Sequence, residues 1–367
     1  MNAAAAGSIL NLFIKHTMRW MNIDLQLAGP RLAMYPEAGK LVAPVLQRFR
    51  LRTSYRVYEK DERYIFGVFQ DVPRLINLQV SRVPELDLLA NSTVEVPWHQ
   101  LDALSLDYVP SIGTSLHILT KCESVRECTL KVDTLFGPLL DEPLVHPYLH
   151  SLSINISNEH FTGFFSRITL PALKNLSIHV RGPLEQYRWP QSCFEEFLRR
   201  SSCKLTRLEL RDSGMRADQF ISTLQQPYLQ TLHQLVVDDR RDWTWDPFVT
   251  DAGLYLMNCS LCMNASAALA VLDDDVAESE SDGVTTNPLA DQACFLPSLQ
   301  ALIVRGNCLQ TADGTIADMV ESRFYFREHG VAQLRRVELD LPSSHLADLQ
   351  RLKAMQAEGL TVDLGFI

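Results

Sequence analysis

The sequence predicts an α/β solenoid of leucine-rich repeats: a curved parallel sheet on the concave side and helices on the convex side. Three observations predict it. A six-residue apolar pattern recurs along the chain, polar residues fill its alternate positions, and the spacers carry helical apolar spacing. The pattern, apolar-x-x-apolar-x-apolar, begins at Trp20, Leu46, Leu75, Leu101, Val125, Leu149, Leu173, Leu205, Leu232, Leu299 and Leu334. Successive starts lie 24 to 35 residues apart, with one step of 67. Most steps are at or just above the ~20–29-residue period of leucine-rich repeats.

The first, fourth and sixth positions are apolar by selection, so the test lies in the third, fifth and seventh. Successive side chains of a strand point to opposite faces, and these three should meet solvent. They read Asn22, Asp24, Gln26 in the first copy and Arg48, Arg50, Arg52 in the second, and continue in that vein to Arg336, Glu338, Asp340. Of the 33 positions only Ala103, Val236, Ala301 and Ile303 are apolar, against 46% of the whole chain. Leucine richness alone does not separate the two sets in this way.

Taken in order, residues 1–19 read as an N-terminal helix or cap and residues 20–367 as a solenoid of about eleven irregular repeats. The start, Met1 to Ile14, is mildly apolar. It has no basic lead, and Asn2, Ser8 and Asn11 interrupt it, so a first helix fits better than a secretory signal. Leu116, Leu119 and Cys122 give a helical face ahead of Val125. Cys193, Phe194, Phe197 and Leu198 do the same before Ser201 and Ser202. Phe220, Ile221 and Leu224 form another such face, ended by Pro227. In the long step, Val249 to Cys259 supplies the expected helix. The stretch Ala265 to Asp291 then carries Asp273, Asp274, Asp275, Glu278, Glu280, Asp282 and Asp291 with no Lys or Arg. It cannot bury enough apolar surface to offset its ordering entropy, which predicts a disordered acidic insertion at about 260–294.

Charge narrows the partners. The chain has 44 acidic and 34 basic residues, a formal charge of −10. Seven of those negatives lie in 265–291, which leaves about −3 (−10 + 7) for the rest. An acidic average argues against general nucleic-acid or anionic-membrane binding, and the near-neutral body leaves room for local patches. No run reaches the ~18 apolar residues a spanning helix needs. Eight cysteines in 367 residues are too sparse for a disulfide scaffold. The expectation is a cytoplasmic or nuclear chain with reduced thiols, in which the sequons at Asn91, Asn155, Asn175, Asn258 and Asn264 carry no glycan.

Beyond the period, SLHILTKCESVRECTL and VTDAGLYLMNC resemble the cysteine-containing leucine-rich repeats of F-box proteins. HTMRW near the start, VPWHQLDALSLD, and IADMVESR (Ile316 to Arg323) resemble the degenerate repeat regions of fungal F-box/leucine-rich-repeat proteins. The resemblance covers roughly residues 12 to 364. It implies the substrate-receptor part of a cullin-type ubiquitin ligase, in which a separate F-box docks on the Skp1 adaptor. No Leu-Pro-rich F-box segment precedes Trp20, so Skp1 is not an expected partner of this chain.

Several residues stand out as partner-binding candidates. Arg48, Arg50 and Arg52 place three guanidiniums on one strand face, with Arg56 and Lys60 just beyond, and suit an acidic or phosphorylated peptide. The alternative is a solvated edge neutralised by Asp24. Arg207 and Arg211 flanking Glu209 form a second candidate, read as a cross-strand ion-pair row. Trp243 and Trp245, in the loop after the Leu232 copy, are rim anchors or inward packing. Trp20 and Trp98 read as core, and Ser279 fits an acidophilic-kinase pattern.

Metal and redox signals are thin. Cys259-x-x-Cys262 is a single CxxC with no second ligand pair near it in sequence. His146 and His150 flank Pro147, which argues against a metal-binding helix and makes both surface residues. No nucleophile elbow, phosphate-binding glycine loop, HExxH pair or kinase motif set occurs. The sequence therefore points to protein recognition with no cofactor, metal or catalytic residue. The alternatives are an enzyme on an unrecognised α/β fold and a degenerate product with no selected partner.

Overall fold

The structure, a computed structural model, describes residues 12–13, 15–27, 42–53, 71–81, 96–109, 111–132, 142–182, 189–240, 247–260, 294–325 and 331–366. Trp243, Trp245, Ser279, Arg56, Lys60, Cys262 and nearly all of the acidic insertion lie outside them. The fold is α/β, with a long parallel sheet of twelve strands laid down in chain order. Packing divides the chain into two compact units, Met1–Leu173 with Glu196–Cys203, and Lys174–Glu195 with Lys204–Ile367.

In the first unit, Thr17–Arg19 forms a 3-10 turn, and residues 1–11 of the expected N-terminal helix or cap lie outside the described residues. The turn leads into β1 (Asn22–Leu27), followed by β2 (Arg48–Thr53), β3 (Asn77–Ser81), β4 (Ala103–Val109), α1 (Ile112–Lys121) and β5 (Glu127–Val132). Then come β6 (Leu144–Val145), β7 (Ser151–Ser157), α2 (Asn158–Phe165) and β8 (Ile168–Thr169). The order β1-β2-β3-β4-β5-β7 aligns the copies in register: Asn22↔Arg48↔Asn77↔Ala103↔Glu127↔Ser151. Each strand begins at the third residue of its pattern. The first apolar residue instead closes a tight turn, as Leu46 N does on Ala43 O and Leu75 N on Val72 O. The second residue then hands its carbonyl to two amides of the next copy: Ile76 and Asn77 both donate to Gln47 O, and Asp102 and Ala103 both donate to Ile76 O.

The fourth and sixth positions, such as Phe49, Leu51, Leu78, Leu104 and Leu106, are buried. Helix α1 packs on β4 and β5 through Ile112, Leu116 and Leu119, its N-terminus capped by Ser111, whose hydroxyl accepts from Thr114 N at 3.1 Å. On α2, Phe161, Phe164 and Phe165 are fully buried, and Phe165 meets Phe197 edge-on at 5.0 Å. Trp20 and Trp98 are core residues, as the sequence predicts. His146 is a correction to the expected surface residue: it is 3% exposed, and its Nε2 lies 2.6 Å from Cys122 O, so the imidazole satisfies a buried carbonyl.

The second unit contains β9 (Asn175–Arg181), α3 (Gln191–Ser201, its last turns in the first unit), β10 (Arg207–Arg211), α4 (Ala217–Leu224), β11 (Gln234–Asp239), β12 (Val249–Thr250) and α5 (Asp251–Met257). It continues with β13 (Ala301–Gly306), β14 (Leu309–Gln310), α6 (Thr315–Phe324), β15 (Arg336–Leu341), α7 (Leu346–Ala357) and β16 (Thr361–Phe366). The order is β9-β10-β11-β13-β15-β16, with Asn175↔Arg207↔Gln234↔Ala301↔Arg336↔Thr361 in register. The same carbonyl handover recurs from Lys174, Thr206, His233 and Gln300.

Every one of the eleven sequence copies forms a strand, and β16 is a twelfth that the pattern misses. Its first position is Gly359, at φ +112°, which satisfies the turn but breaks the apolar rule. α4 stops at Leu224, and Pro227 opens a 3-10 turn, Pro227–Leu229. No helix among the described residues is long and apolar enough to cross a membrane.

Candidate interaction surface

The third, fifth and seventh positions of the strands form the face away from the helices. In the first unit none of them is buried. On β1–β3 they bring Arg48, Arg50 and Arg52 beside Asn22, Asp24, Gln26, Asn77 and Gln79. Asp24 binds Arg52 through Nη2 at 3.0 Å and Nε at 3.3 Å, and lies 3.7 Å from Arg50. One carboxylate thus serves two of the three guanidiniums, in part as the solvated-edge alternative expects. Arg48 is exposed and has no partner among the described residues. The patch is one acid against three bases, edged by carboxamides that can hydrogen-bond a peptide backbone.

In the second unit the same face is built differently, and five of its positions are buried: Glu209, Val236, Asp238, Ile303 and Glu338. This departs from the expected solvent-facing row. Arg207 Nη2 donates to one oxygen of Glu209 at 3.0 Å and Arg211 donates to the other, so the carboxylate is clamped from two residues before and two after. The pairing expected to cross between strands runs within β10 instead, because residues two apart on a strand share a face. Arg207 also reaches Gln234 on β11 at 3.1 Å. A second clamp, unmarked by the sequence reading, joins Glu338 on β15 to Arg336 on the same strand and Arg305 on β13. Between the clamps the register runs Glu209↔Val236↔Ile303↔Glu338, an aliphatic pair set between two carboxylates.

Burial alone would push the Glu209 carboxyl up, but the hydrogen bonds from Arg207 and Arg211 outweigh it and hold the group below the usual carboxylate range. The same opposition, won by Arg305 and Arg336, lowers Glu338. The four guanidiniums keep exposed outer edges while their inner edges hold the carboxylates. Around them lie Asp238 with Arg240 at 3.0 Å and His179 with Asp212 at 2.9 Å. The R-x-E-x-R string of β10 was the only signal of this arrangement in the sequence. The second clamp draws on two strands whose patterns start 35 residues apart (Leu299 to Leu334), so no short window contains it.

Two further groups bear on chemistry. Asp313, His345 and Asp348 bring ligand-type atoms within 4.8 Å of one another. Their oxygens are committed: Asp313 accepts from Ala347 N and Asp348 N at 3.0 Å, and Asp348 accepts from Ala317 N at 2.7 Å and pairs with His345 Nδ1 at 2.9 Å. The trio ties the start of α6 to the start of α7, and those amide bonds hold the Asp313 carboxyl low. Cys259 is bonded to Cys294, across a sequence separation of 35, where reduced thiols were expected. Among the described residues, Cys122, Cys128, Cys193, Cys203 and Cys308 form no disulfide.

In comparison with known proteins, the chain matches no family model and no curated protein.

Proposed function

We propose that the chain is a protein-recognition module of leucine-rich-repeat type that binds a partner through the strand face away from its helices. The observation that carries this reading is the arginine distribution on that face. On β1–β2 Asp24 pairs with Arg50 and Arg52 while Arg48 stands exposed beside them, and four more guanidiniums on β10, β13 and β15 are pinned by buried glutamates with their outer edges exposed. A side chain already fixed by a neighbour loses less conformational freedom when a partner binds it. Planar guanidiniums at fixed spacing suit the carboxylates or phosphoryl groups of an acidic peptide. In the resemblance to F-box/leucine-rich-repeat proteins, this is the substrate-receptor role.

The test is affinity capture from cell extract with the chain as given and with Arg48, Arg50 and Arg52 changed to Glu. Partners lost on reversal, and released from the unaltered chain at high salt, support the β1–β2 patch. Identical recovery by both proteins rules that patch out, and capture of Skp1 by the chain as given would place an adaptor site outside the strand face.

A further inference from the structure

Seven cysteines fall among the described residues, and two of them sit in a setting unlike the others. Burial pushes the thiol of Cys122 up to about 12 and that of Cys203 to about 11. Burial, with Cys122 as neighbour, lifts Cys128 well above its ordinary value. Thiols held protonated in this way are inert to exchange. Cys259 and Cys294 are joined to each other, and Nη2 of Arg323 lies 3.0 Å from Cys294 Sγ.

Arg323 is a fully buried side chain on α6. Its Nε donates to Met257 O at 2.7 Å, its Nη1 to Leu296 O at 3.1 Å, and its Nη2 to Phe295 O. Met257 precedes the stretch between the two cysteines, and Phe295 and Leu296 follow it. A single guanidinium therefore binds the chain on both sides of that stretch and one sulfur of the bond that closes it.

We propose that Cys259–Cys294 is a reversible thiol–disulfide exchange site, with Arg323 stabilising the Cys294 thiolate and a glutathione-type thiol as co-reactant. The thiolate of the co-reactant attacks Cys259 Sγ. A mixed disulfide forms, the Cys259–Cys294 bond breaks, and the electron pair leaves on Cys294 beside the guanidinium. A second glutathione thiolate attacks the glutathione sulfur of the mixed disulfide and releases Cys259, which takes a proton from water. The protein gains two electrons and the co-reactant becomes its own disulfide; oxidation runs the same steps in reverse. Departure from Cys294 is favoured because a cation on the leaving sulfur makes it a better leaving group. Cys259 and Cys294 are 0% and 4% exposed, so exchange passes through local opening of this base. The contacts of Arg323 with Met257, Phe295 and Leu296 hold the base together while the bond is open.

The experiment equilibrates the full chain in glutathione buffers from oxidising to reducing. Free thiols are then trapped by alkylation and each cysteine is read by mass spectrometry. The expected result is a Cys259–Cys294 cross-linked peptide that appears and disappears as one two-electron step, while Cys122, Cys128 and Cys203 stay thiols throughout. Between pH 6 and 8 the protein should take up one proton per two electrons, because Cys294 remains a thiolate. Arg323→Met should shift the midpoint glutathione ratio at least tenfold toward reducing conditions, and Arg323→Lys, which keeps a cation, should shift it less. Uptake of two protons by the unaltered protein overturns the proposal without reliance on either variant. So does a Cys259–Cys262 linkage, or free thiols at 259 and 294 in the most oxidising buffer.

Discussion

Glu209 and Glu338 occupy positions where the strand alternation calls for solvent, yet each is buried under two arginines. Their carboxyls are lower in the folded chain than in the unfolded one, so the stability they contribute is present above the ordinary glutamate value of about 4.3. It is lost as pH falls through the depressed folded value. Glu209→Gln should therefore cost roughly 1–3 kcal/mol near neutral pH, in line with lost charged hydrogen bonds. The gap from the unaltered protein should narrow progressively as pH falls below about 4, as read by denaturant unfolding at a series of pH values. An equal gap at pH 3 and pH 7 counts against the clamp. At this scale the sequence showed which residues share the face, since RLELR places Arg207, Glu209 and Arg211 on one side of β10. It did not show their burial, because that depends on arginine side chains folding back over their own and neighbouring strands, which periodicity does not encode.

The strands were legible because each must satisfy two rules at once: apolar side chains on the helix side and a tight turn before the first paired residue. β16 escaped because Gly359 meets the turn rule and fails the apolar one. Glycine has a stricter role at the end of β13. Gly306 sits at φ +71°, and a Cβ there would lie 2.0 Å from Asp239 O of the neighbouring strand. Its own amide donates to Asp340 at 2.8 Å, so β11, β13 and β15 converge on it. Gly306→Ala should lower stability by roughly 2–4 kcal/mol, since it combines a disfavoured left-handed backbone angle with a backbone clash; a melting curve within a degree of the unaltered protein would show that the strand end yields. The two clamps also differ as elements. Arg207–Glu209–Arg211 closes on β10 alone, whatever its neighbours do. Arg305–Glu338–Arg336 needs β13 and β15 correctly aligned, and a slip of one residue would turn Glu338 to the opposite side. The second clamp therefore specifies strand alignment as well as charge.

For the whole molecule, the charge of −10 is an uneven quantity, with seven negatives in residues 265–291. Deleting 265–291 should move the charge to about −3 (−10 + 7), visible as a rise in isoelectric point, and leave the melting temperature almost unchanged. A large drop in melting temperature would show that this stretch packs against the body. The long step that contains it leaves no mark on the sheet. Gln300 and Ala301 donate to His233 O at 2.9 Å each, just as His233 and Gln234 donate to Thr206 O and Arg335 and Arg336 to Gln300 O. The handover is made by two adjacent amides and one carbonyl and takes no account of how much chain lies between. Steps of 24 and of 67 residues are therefore joined by the same bond pair. Within this chain, spacer length varies from one repeat to the next while the strand-to-strand connection stays the same. The stretch between Cys259 and Cys294 is accordingly a natural place to graft a peptide tag, sensor or whole foreign domain.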